Sequence, residues 1–103
     1  MTASIADLSI SSASRQYVRV PISEATGADP TTDPVSLSFP TTGVEPTVFV
    51  VGNWRTVGGI HYAQALVGPG GSITLPVGFY DVYVQITDNP EIPVLLAGTV
   101  EVT

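Results

Sequence analysis

The chain has 103 residues, with nine acidic side chains against three arginines, no lysine and a formal net charge of −6. This length indicates one domain. The lack of a basic footprint argues against binding to nucleic acid or to an anionic membrane surface. The chain has no cysteine, which excludes disulfides and thiolate metal ligands. Because 44% of residues are hydrophobic and only 12% are charged, we expect exposed apolar surface that binds a partner.

The N-terminal segment lacks the cationic start and the apolar run of a signal peptide. No stretch of the chain approaches the ~20 apolar residues of a transmembrane helix, so we expect a soluble or assembled protein. Residues 1–15 are rich in serine and alanine, with isolated apolar residues. This composition predicts a flexible N-terminal arm in front of a domain at 16–103. The alternative is an arm that becomes ordered on a neighbouring subunit.

Nine prolines and ten glycines interrupt the chain so often that long helices have little room. Short β-branched runs between turn residues are instead typical of a sandwich or barrel. The predicted strands, in chain order, are 16–23, 35–39, 47–51, 53–57, 60–67, 72–75, 80–87 and 94–102.

Apolar side chains alternate along the first two predicted strands, which indicates one buried face in each. Pro21 cannot donate a ladder hydrogen bond and places its strand at a sheet edge, while Ser36 and Ser38 are expected to point outward. The continuous run "TVFVV" at 47–51 predicts a strand covered on both faces. The predicted inward residues of the first two strands are Val18, Val20, Ile22, Val35, Leu37 and Phe39.

The pair Gly58-Gly59 predicts a tight hairpin between 53–57 and 60–67. The last two strands again alternate, and the "DNPEIP" loop between them reverses the chain. Asp81, Tyr83, Gln85 and Thr87 are expected opposite the buried face, as are Thr99 and Glu101. The predicted inward residues of these strands are Tyr80, Val82, Val84, Ile86, Val94, Leu96, Val100 and Val102.

The segment "LPVGFYDVYV" matches the L-x-x-G-x-Y-x-V-x-V pattern of an E–F corner, in which a tyrosine hydroxyl turns back onto loop backbone. It predicts an all-β, immunoglobulin-like two-sheet antiparallel β-sandwich with 7–8 strands. Tyr80 is the expected corner residue, with plain core filling as the alternative. Trp54 is the expected core residue of the opposite sheet. The predicted structural core is therefore Trp54, Tyr80, Val82 and Val84.

No residue pattern points to catalysis, a cofactor or a metal. His61 is the only histidine, no nucleophile elbow surrounds any serine, and we interpret His61 as a structural residue of a half-exposed strand. The acids at 24, 29 and 33, or at 81, 88 and 91, could ligate calcium, but Asp and Asn also favour turns. A glycosidase carboxylate pair would lack a cleft, and "GPGG" lacks the lysine of a phosphate loop.

Three aromatic residues fall opposite the predicted core faces: Tyr17, Phe79 and Tyr83. Aromatic side chains at a surface are common in protein interfaces and in sugar-binding platforms. We therefore predict that these three residues form an interface. The alternative is that they are ordinary residues of a solvent-exposed sheet face.

The segments "QYVRVPIS", "GNW" and "YAQALVGPGGSITLPVGFYDVYVQITDNPEIPVLLAGTVEVT" resemble small immunoglobulin-like structural proteins of tailed bacteriophages that infect Actinobacteria. "LVGPGG", "LPVGFYDVYV" and "TDNPEIPV" follow one another in that order. Residues 1–15 and 24–47 lie outside the resemblance.

This resemblance implies a non-enzymatic virion protein, assembled in the host cytoplasm. The implied role is capsid decoration or a minor head protein that binds the major capsid protein or another virion protein. It would do so as a homo-oligomer or symmetric assembly on the particle, without nucleic acid or membrane as a partner. The alternatives are a head–tail junction or tail component, a carbohydrate-binding or adhesion module motivated by the aromatic residues, and, least favoured, an enzyme that uses His61.

Overall fold

Two β-sheets packed face to face form the part of the chain that the computed structural model describes, which is residues 1–5, 7–24 and 29–103. A three-residue 3-10 turn, Pro30–Thr32, is the helical element of these residues, and none of their helices could span a membrane. The strands are β1 (Thr2–Ala3), β2 (Leu8–Ile10), β3 (Gln16–Ser23), β4 (Val35–Ser38), β5 (Val50–Val51), β6 (Asn53–Val57), β7 (Ile60–Val67), β8 (Gly78–Ile86) and β9 (Val94–Val102).

The strand order confirms the predicted immunoglobulin-like sandwich. The four-stranded sheet has the order β1-β3-β7-β6, and the five-stranded sheet has the order β2-β9-β8-β4-β5. These orders correspond to strands A-B-E-D on one layer and G-F-C on the other, with the first strand divided between the layers. Nine strands are present in the described residues instead of the expected seven or eight, because the short strands β1 and β2 were not predicted.

The core lies between the sheets and consists mainly of β-branched side chains, which pack well on pleated surfaces. The inward residues predicted for β3 and β4 are buried, as are those of β8 apart from Tyr80. Gly58 and Gly59 form the predicted hairpin turn between β6 and β7, with φ of +58° and +79°. Most of β3 is paired with a strand on one side only, because β1 pairs with Ile22 and Ser23 alone.

The prediction that residues 1–15 form a flexible arm separate from the domain is wrong. β1 pairs antiparallel with β3, and β2 pairs parallel with β9, so this segment contributes one strand to each sheet. Ile10 is 4% exposed and belongs to the core, while Ile5 and Leu8 pack against it. The isolated apolar residues of this segment therefore pack on the core that strands β3 to β9 form.

Two predicted strands are also corrected. The run at 47–51 forms a strand only at Val50–Val51, on the edge of the five-stranded sheet, and Val48 and Val51 are 67% and 83% exposed. The continuous apolar run predicts a doubly covered strand, but its paired part is a two-residue edge strand and the residues before it belong to no strand. Residues 72–75 form no strand, because Ile73 makes a single isolated bridge to Val67.

A β-bulge in β9 overturns the predicted faces of that strand. Val82 pairs with Gly98 but Tyr83 pairs with Leu96, so Ala97 is an extra residue. One extra residue reverses the direction of every side chain beyond it. Val94 and Leu96 are consequently 42% and 57% exposed, while Val100 and Val102 remain buried as predicted.

Ser38 is a further correction, since it was expected to point outward and is 2% exposed. It lies directly opposite Tyr83 on the neighbouring strand, where side chains on the same face are close enough to touch. A large aromatic neighbour can cover so small a side chain, whereas alternation alone predicts exposure.

The bulge also provides the point at which the N-terminal segment crosses from one sheet to the other. The Ile5 N–H donates a hydrogen bond to the Ala97 carbonyl oxygen at 3.0 Å. A Cβ atom at Gly98 would lie 2.7 Å from the Ile5 carbonyl oxygen and 2.6 Å from its Cγ2. Glycine at position 98 therefore leaves the space through which the crossing backbone runs.

Two aromatic residues hold the loops at the margin of the core. The Tyr80 hydroxyl donates to the Pro76 carbonyl oxygen at 2.7 Å, which confirms the predicted tyrosine corner. The Trp54 indole N–H donates to the Asp33 carbonyl oxygen at 2.8 Å. The prediction that both rings lie inside the core is wrong, because both are half-buried and pack against its margin. Val82 and Val84, the other predicted core residues, are fully buried.

We expect Tyr80→Phe to lower the free energy of unfolding by about 0.5–1.5 kcal/mol, because it removes the hydroxyl that bonds to Pro76. Tyr80→Ala should cost about 2–4 kcal/mol, since the ring is half-buried and packs on the core. Urea denaturation measures both. Tyr83→Phe, on the outer face of the same strand, is the control and should change stability by less than about 0.5 kcal/mol. Equal effects of Tyr80→Phe and Tyr83→Phe would contradict a stabilising corner bond.

We expect Gly98→Ala to destabilise the protein by about 1–3 kcal/mol, because the added methyl group overlaps the Ile5 backbone. The same change should increase hydrogen exchange at the Ile5 amide, whose bond to Ala97 depends on this close approach. Leu96→Ala, on the exposed side of the bulge, serves as the control and should leave that amide protected. Unchanged protection in Gly98→Ala would show that the segment does not cross at this point.

Candidate functional site

An apolar patch lies on the outer face of the five-stranded sheet and consists of Tyr83, Val94 and Leu96. Tyr83 is directly opposite Leu96, and Val94 is opposite Gln85, one row further along the same pair of strands. Val94 and Leu96 are exposed, and Tyr83 is half-buried. Contiguous exposed apolar side chains of this kind often mark a binding surface. The patch exists because the bulge turns the start of β9 outward.

An acidic cleft of about 210 Å³ lies at the other end of the same face, next to the edge strand β2. Asp7 and Glu101 are its charged residues, and Phe79, which is 62% exposed, lies directly opposite Glu101. The Asp7 carboxylate accepts a hydrogen bond from the Thr99 hydroxyl at 2.7 Å, which fixes its position over β9. The lining residues are Asp7, Leu8, Ser9, Phe79, Thr99 and Glu101.

An arginine face lies on the outside of the four-stranded sheet and is defined by Tyr17, Arg19, Arg55 and Tyr62. The Arg19 Nε donates to the Gln64 Oε1 at 2.9 Å, and its Cζ lies 5.4 Å from the centre of the Tyr17 ring. At this distance the ring attracts the cation, so the guanidinium is held in place. Arg55 lies opposite Tyr62 on the neighbouring strand. Both arginines are exposed.

The charged residues of the strands are divided between the two sheets by sign. The strands of the four-stranded sheet contain Arg19 and Arg55 but no acid, and those of the five-stranded sheet contain Asp81 and Glu101 but no arginine. None of the described residues forms an ion pair with either arginine. The molecule therefore presents one cationic and one anionic sheet face despite its net charge of −6.

The three residues predicted to form one interface are separated in the structure. Tyr17 lies on the arginine face of one sheet, whereas Phe79 and Tyr83 lie four residues apart on the outer face of the other, so the three do not share one surface. Alternation along the sequence predicted that Val94 and Leu96 are buried, because it assumed a strand without a bulge. Gly98 inside that strand was the available signal, since glycine in a strand interior often marks a bulge.

His61 lies in a cleft of about 420 Å³ at one end of the four-stranded sheet, together with Ile60 and Pro30. Its Nδ1 is 2.8 Å from the hydroxyl of Thr56, the residue directly opposite on β6. Its Nε2 is 3.8 Å from the Asp29 carboxylate, beyond hydrogen-bond range. Asp29 instead accepts bonds from the Thr31 amide and hydroxyl, at 2.9 and 2.6 Å. The arrangement links β6, β7 and the 3-10 turn.

Of the acids considered for calcium, Asp88 and Glu91 lie in a turn and Asp81 binds a loop amide. Asp88 and Glu91 close the "DNPE" turn through reciprocal backbone bonds of 2.9 and 2.7 Å. The Asp81 carboxylate accepts a bond from the Gly43 amide at 3.0 Å. Within residues 1–5, 7–24 and 29–103, no three acidic or histidine side chains are grouped as metal ligands would be.

Neither a model of a known protein family nor a curated protein sequence matches this chain.

Hydrogen bonding to Thr31 lowers the pKa of Asp29 below its ordinary value of 3.8, with a smaller contribution from His61. A carboxyl group whose pKa is lower in the folded state stabilises the fold above its unfolded pKa. This stabilisation is lost as the pH falls through the folded pKa. Asp29 therefore contributes stability at neutral pH that disappears below about pH 4.

We expect an NMR titration to give an Asp29 midpoint below 3.8 in the native protein. Thr31→Val should raise this midpoint because it removes the hydroxyl donor. His61→Gln is the matched comparison and should raise it less, since the histidine contributes only a distant charge. A larger effect of His61→Gln than of Thr31→Val would mean that the ion pair, and not the turn, determines the ionisation of Asp29.

Proposed function

We propose that this chain is a non-enzymatic structural protein of a bacteriophage virion, a capsid decoration or minor head protein that binds the major capsid lattice. The observation that carries the proposal is the apolar patch of Tyr83, Val94 and Leu96 on the outer face of the five-stranded sheet. The resemblance of residues 16–23 and 52–103 to virion proteins supplies the biological setting. The function is binding, through a surface held rigid by the sandwich.

The properties of the patch fit attachment to a repeating lattice. It is small, so a single contact would be weak, and a symmetric array of copies would raise the overall affinity by avidity. Apolar and aromatic side chains form the centre of protein interfaces, with polar residues at the rim. Gln85 and Ser36 lie beside the patch on the neighbouring strands and suit such a rim. The net negative charge disfavours capture by packaged DNA.

A place at the head–tail junction or in the tail is the closest alternative, because the same surface would serve there. A carbohydrate-binding or adhesion role draws support from Phe79, an aromatic side chain that is 62% exposed. That role is the less favoured one, because Tyr17 lies on the opposite sheet and the aromatic side chains do not form one sugar platform.

We expect mass spectrometry to find this chain in purified particles of the phage that encodes it. Hundreds of copies per particle would indicate decoration, and about six to twelve would indicate the junction or tail, as symmetry requires. Absence from particles would contradict the proposal. Binding to cell-wall glycans that Phe79→Ala abolishes would favour adhesion instead.

We also expect Leu96→Gln to reduce binding to isolated capsids by about tenfold, since it removes an apolar contact from the patch. Its effect on the free energy of unfolding should remain below about 0.5 kcal/mol, because Leu96 is exposed. Val57→Gln is the matched control: Val57 is similarly exposed, at 51%, but lies on the other sheet. Equal binding by the two variants would exclude the patch as the attachment surface.

A further inference from the structure

The separation of charge between the sheets gives the molecule two complementary surfaces. The arginine face carries Arg19 and Arg55 without a strand acid, and the acidic cleft carries Asp7 and Glu101 without a cation. Because the strands of each sheet bear only one sign, their charged residues cannot form ion pairs within a sheet. The core lies between the two outer faces, and no described strand arginine pairs with an acid of the other sheet. Charges that find no partner within a chain are available to a partner outside it.

The arginine face is arranged to present its cations. Arg19 is held by the Gln64 side chain and the Tyr17 ring, and Gln64 is itself 4% exposed, so the support beneath the guanidinium is fixed. A guanidinium held in this way loses less conformational freedom on binding than a free side chain. Arg55 lies two strands away on the same face, about 10 Å across the sheet.

The acidic cleft has the chemistry that receives such a cation. Its two carboxylates accept charge-assisted hydrogen bonds, and guanidinium groups pair with carboxylates in bidentate geometry. Phe79 adds an aromatic ring beside Glu101, against which a guanidinium can stack. The Asp7 carboxylate is already oriented by Thr99. The site therefore combines charge, planar stacking and a fixed acceptor.

We propose that the arginine face of one molecule binds the acidic cleft of a second copy of this chain. The two surfaces lie on opposite sheets, so the contact joins unlike faces, and in the resulting pair one molecule keeps a free acidic cleft while the other keeps a free arginine face. Repetition of such a head-to-tail contact produces a ring or a filament. The molecule extends 38 × 29 × 22 Å, so a sheet face can supply the ~800 Å² per partner of a standard interface.

The acidic cleft and the apolar patch have no residue in common. Phe79 of the cleft and Tyr83 of the patch are four residues apart on β8, which is about 13 Å along the strand. The inference is independent of the virion assignment, because a chain that assembles head to tail would do so in purified form whether or not it occurs in particles.

The test uses two purified full-length variants that each lack one surface. The arginine variant carries Arg19→Gln and Arg55→Gln, and the acid variant carries Asp7→Asn and Glu101→Gln. Sedimentation velocity in about 0.1 M salt measures the mass, since the Debye length of ~10 Å then screens the net charge but not a close contact. Arg55→Gln alone is a second form of the arginine variant that leaves Gln64 with its hydrogen-bond partner.

The native chain should increase in mass with concentration above the 10.7 kDa of one chain. Each variant alone should remain a single chain, and an equimolar mixture should form a two-chain complex, because the mixture contains one intact surface of each kind. Glu45→Gln, which removes an exposed loop acid away from the cleft, is the control and should assemble like the native chain.

Three results would overturn the proposal. One is a native chain that stays monomeric up to about 1 mM, because a dissociation constant above that concentration is too weak for a specific contact. Another is continued association of both variants on their own, which would indicate a like-with-like contact such as the apolar patch. The third is a mixture of folded variants that fails to form the two-chain complex although the native chain assembles.

Discussion

The extra residue at Ala97 in β9 is the constraint on which much of this molecule depends. It reverses the direction of the strand's side chains, so that Val94 and Leu96 face solvent while Val100 and Val102 remain in the core. The adjacent Gly98 leaves room for the backbone at Ile5. One local irregularity therefore shapes both the outer surface of the five-stranded sheet and the path of the N-terminal segment.

The division of the first strand between the sheets follows from the same feature. β1 covers the end of β3, and β2 covers β9, so each layer gains an edge pairing from a single short segment. Short edge strands limit the backbone that is open to unwanted pairing. The surfaces that remain for a partner are side-chain surfaces: the apolar patch, the acidic cleft and the arginine face. A structural role in an assembly and a head-to-tail contact between copies both use such surfaces, and they use different ones.

The aromatic residues serve the scaffold and its surface in different ways. Tyr80 and Trp54 bond to loop carbonyl oxygens and hold the ends of the sandwich. Tyr17 supports Arg19, and Phe79 lies beside the acidic cleft. Aromatic composition alone cannot distinguish these roles, because the same side chain fits a core margin, a cation or an interface. The neighbours on adjacent strands distinguish them.

The amino-acid sequence by itself determined the fold class, most strand positions and the tyrosine corner. These depend on local alternation and on short turn and corner patterns, such as Gly58-Gly59 and the residues around Tyr80. The tertiary structure alone decided the place of residues 1–15, the outward turn of Leu96 and the separation of Tyr17 from Phe79 and Tyr83. Each of these depends on which strands are neighbours and in what register, and such long-range pairing leaves no periodic signal in a single segment.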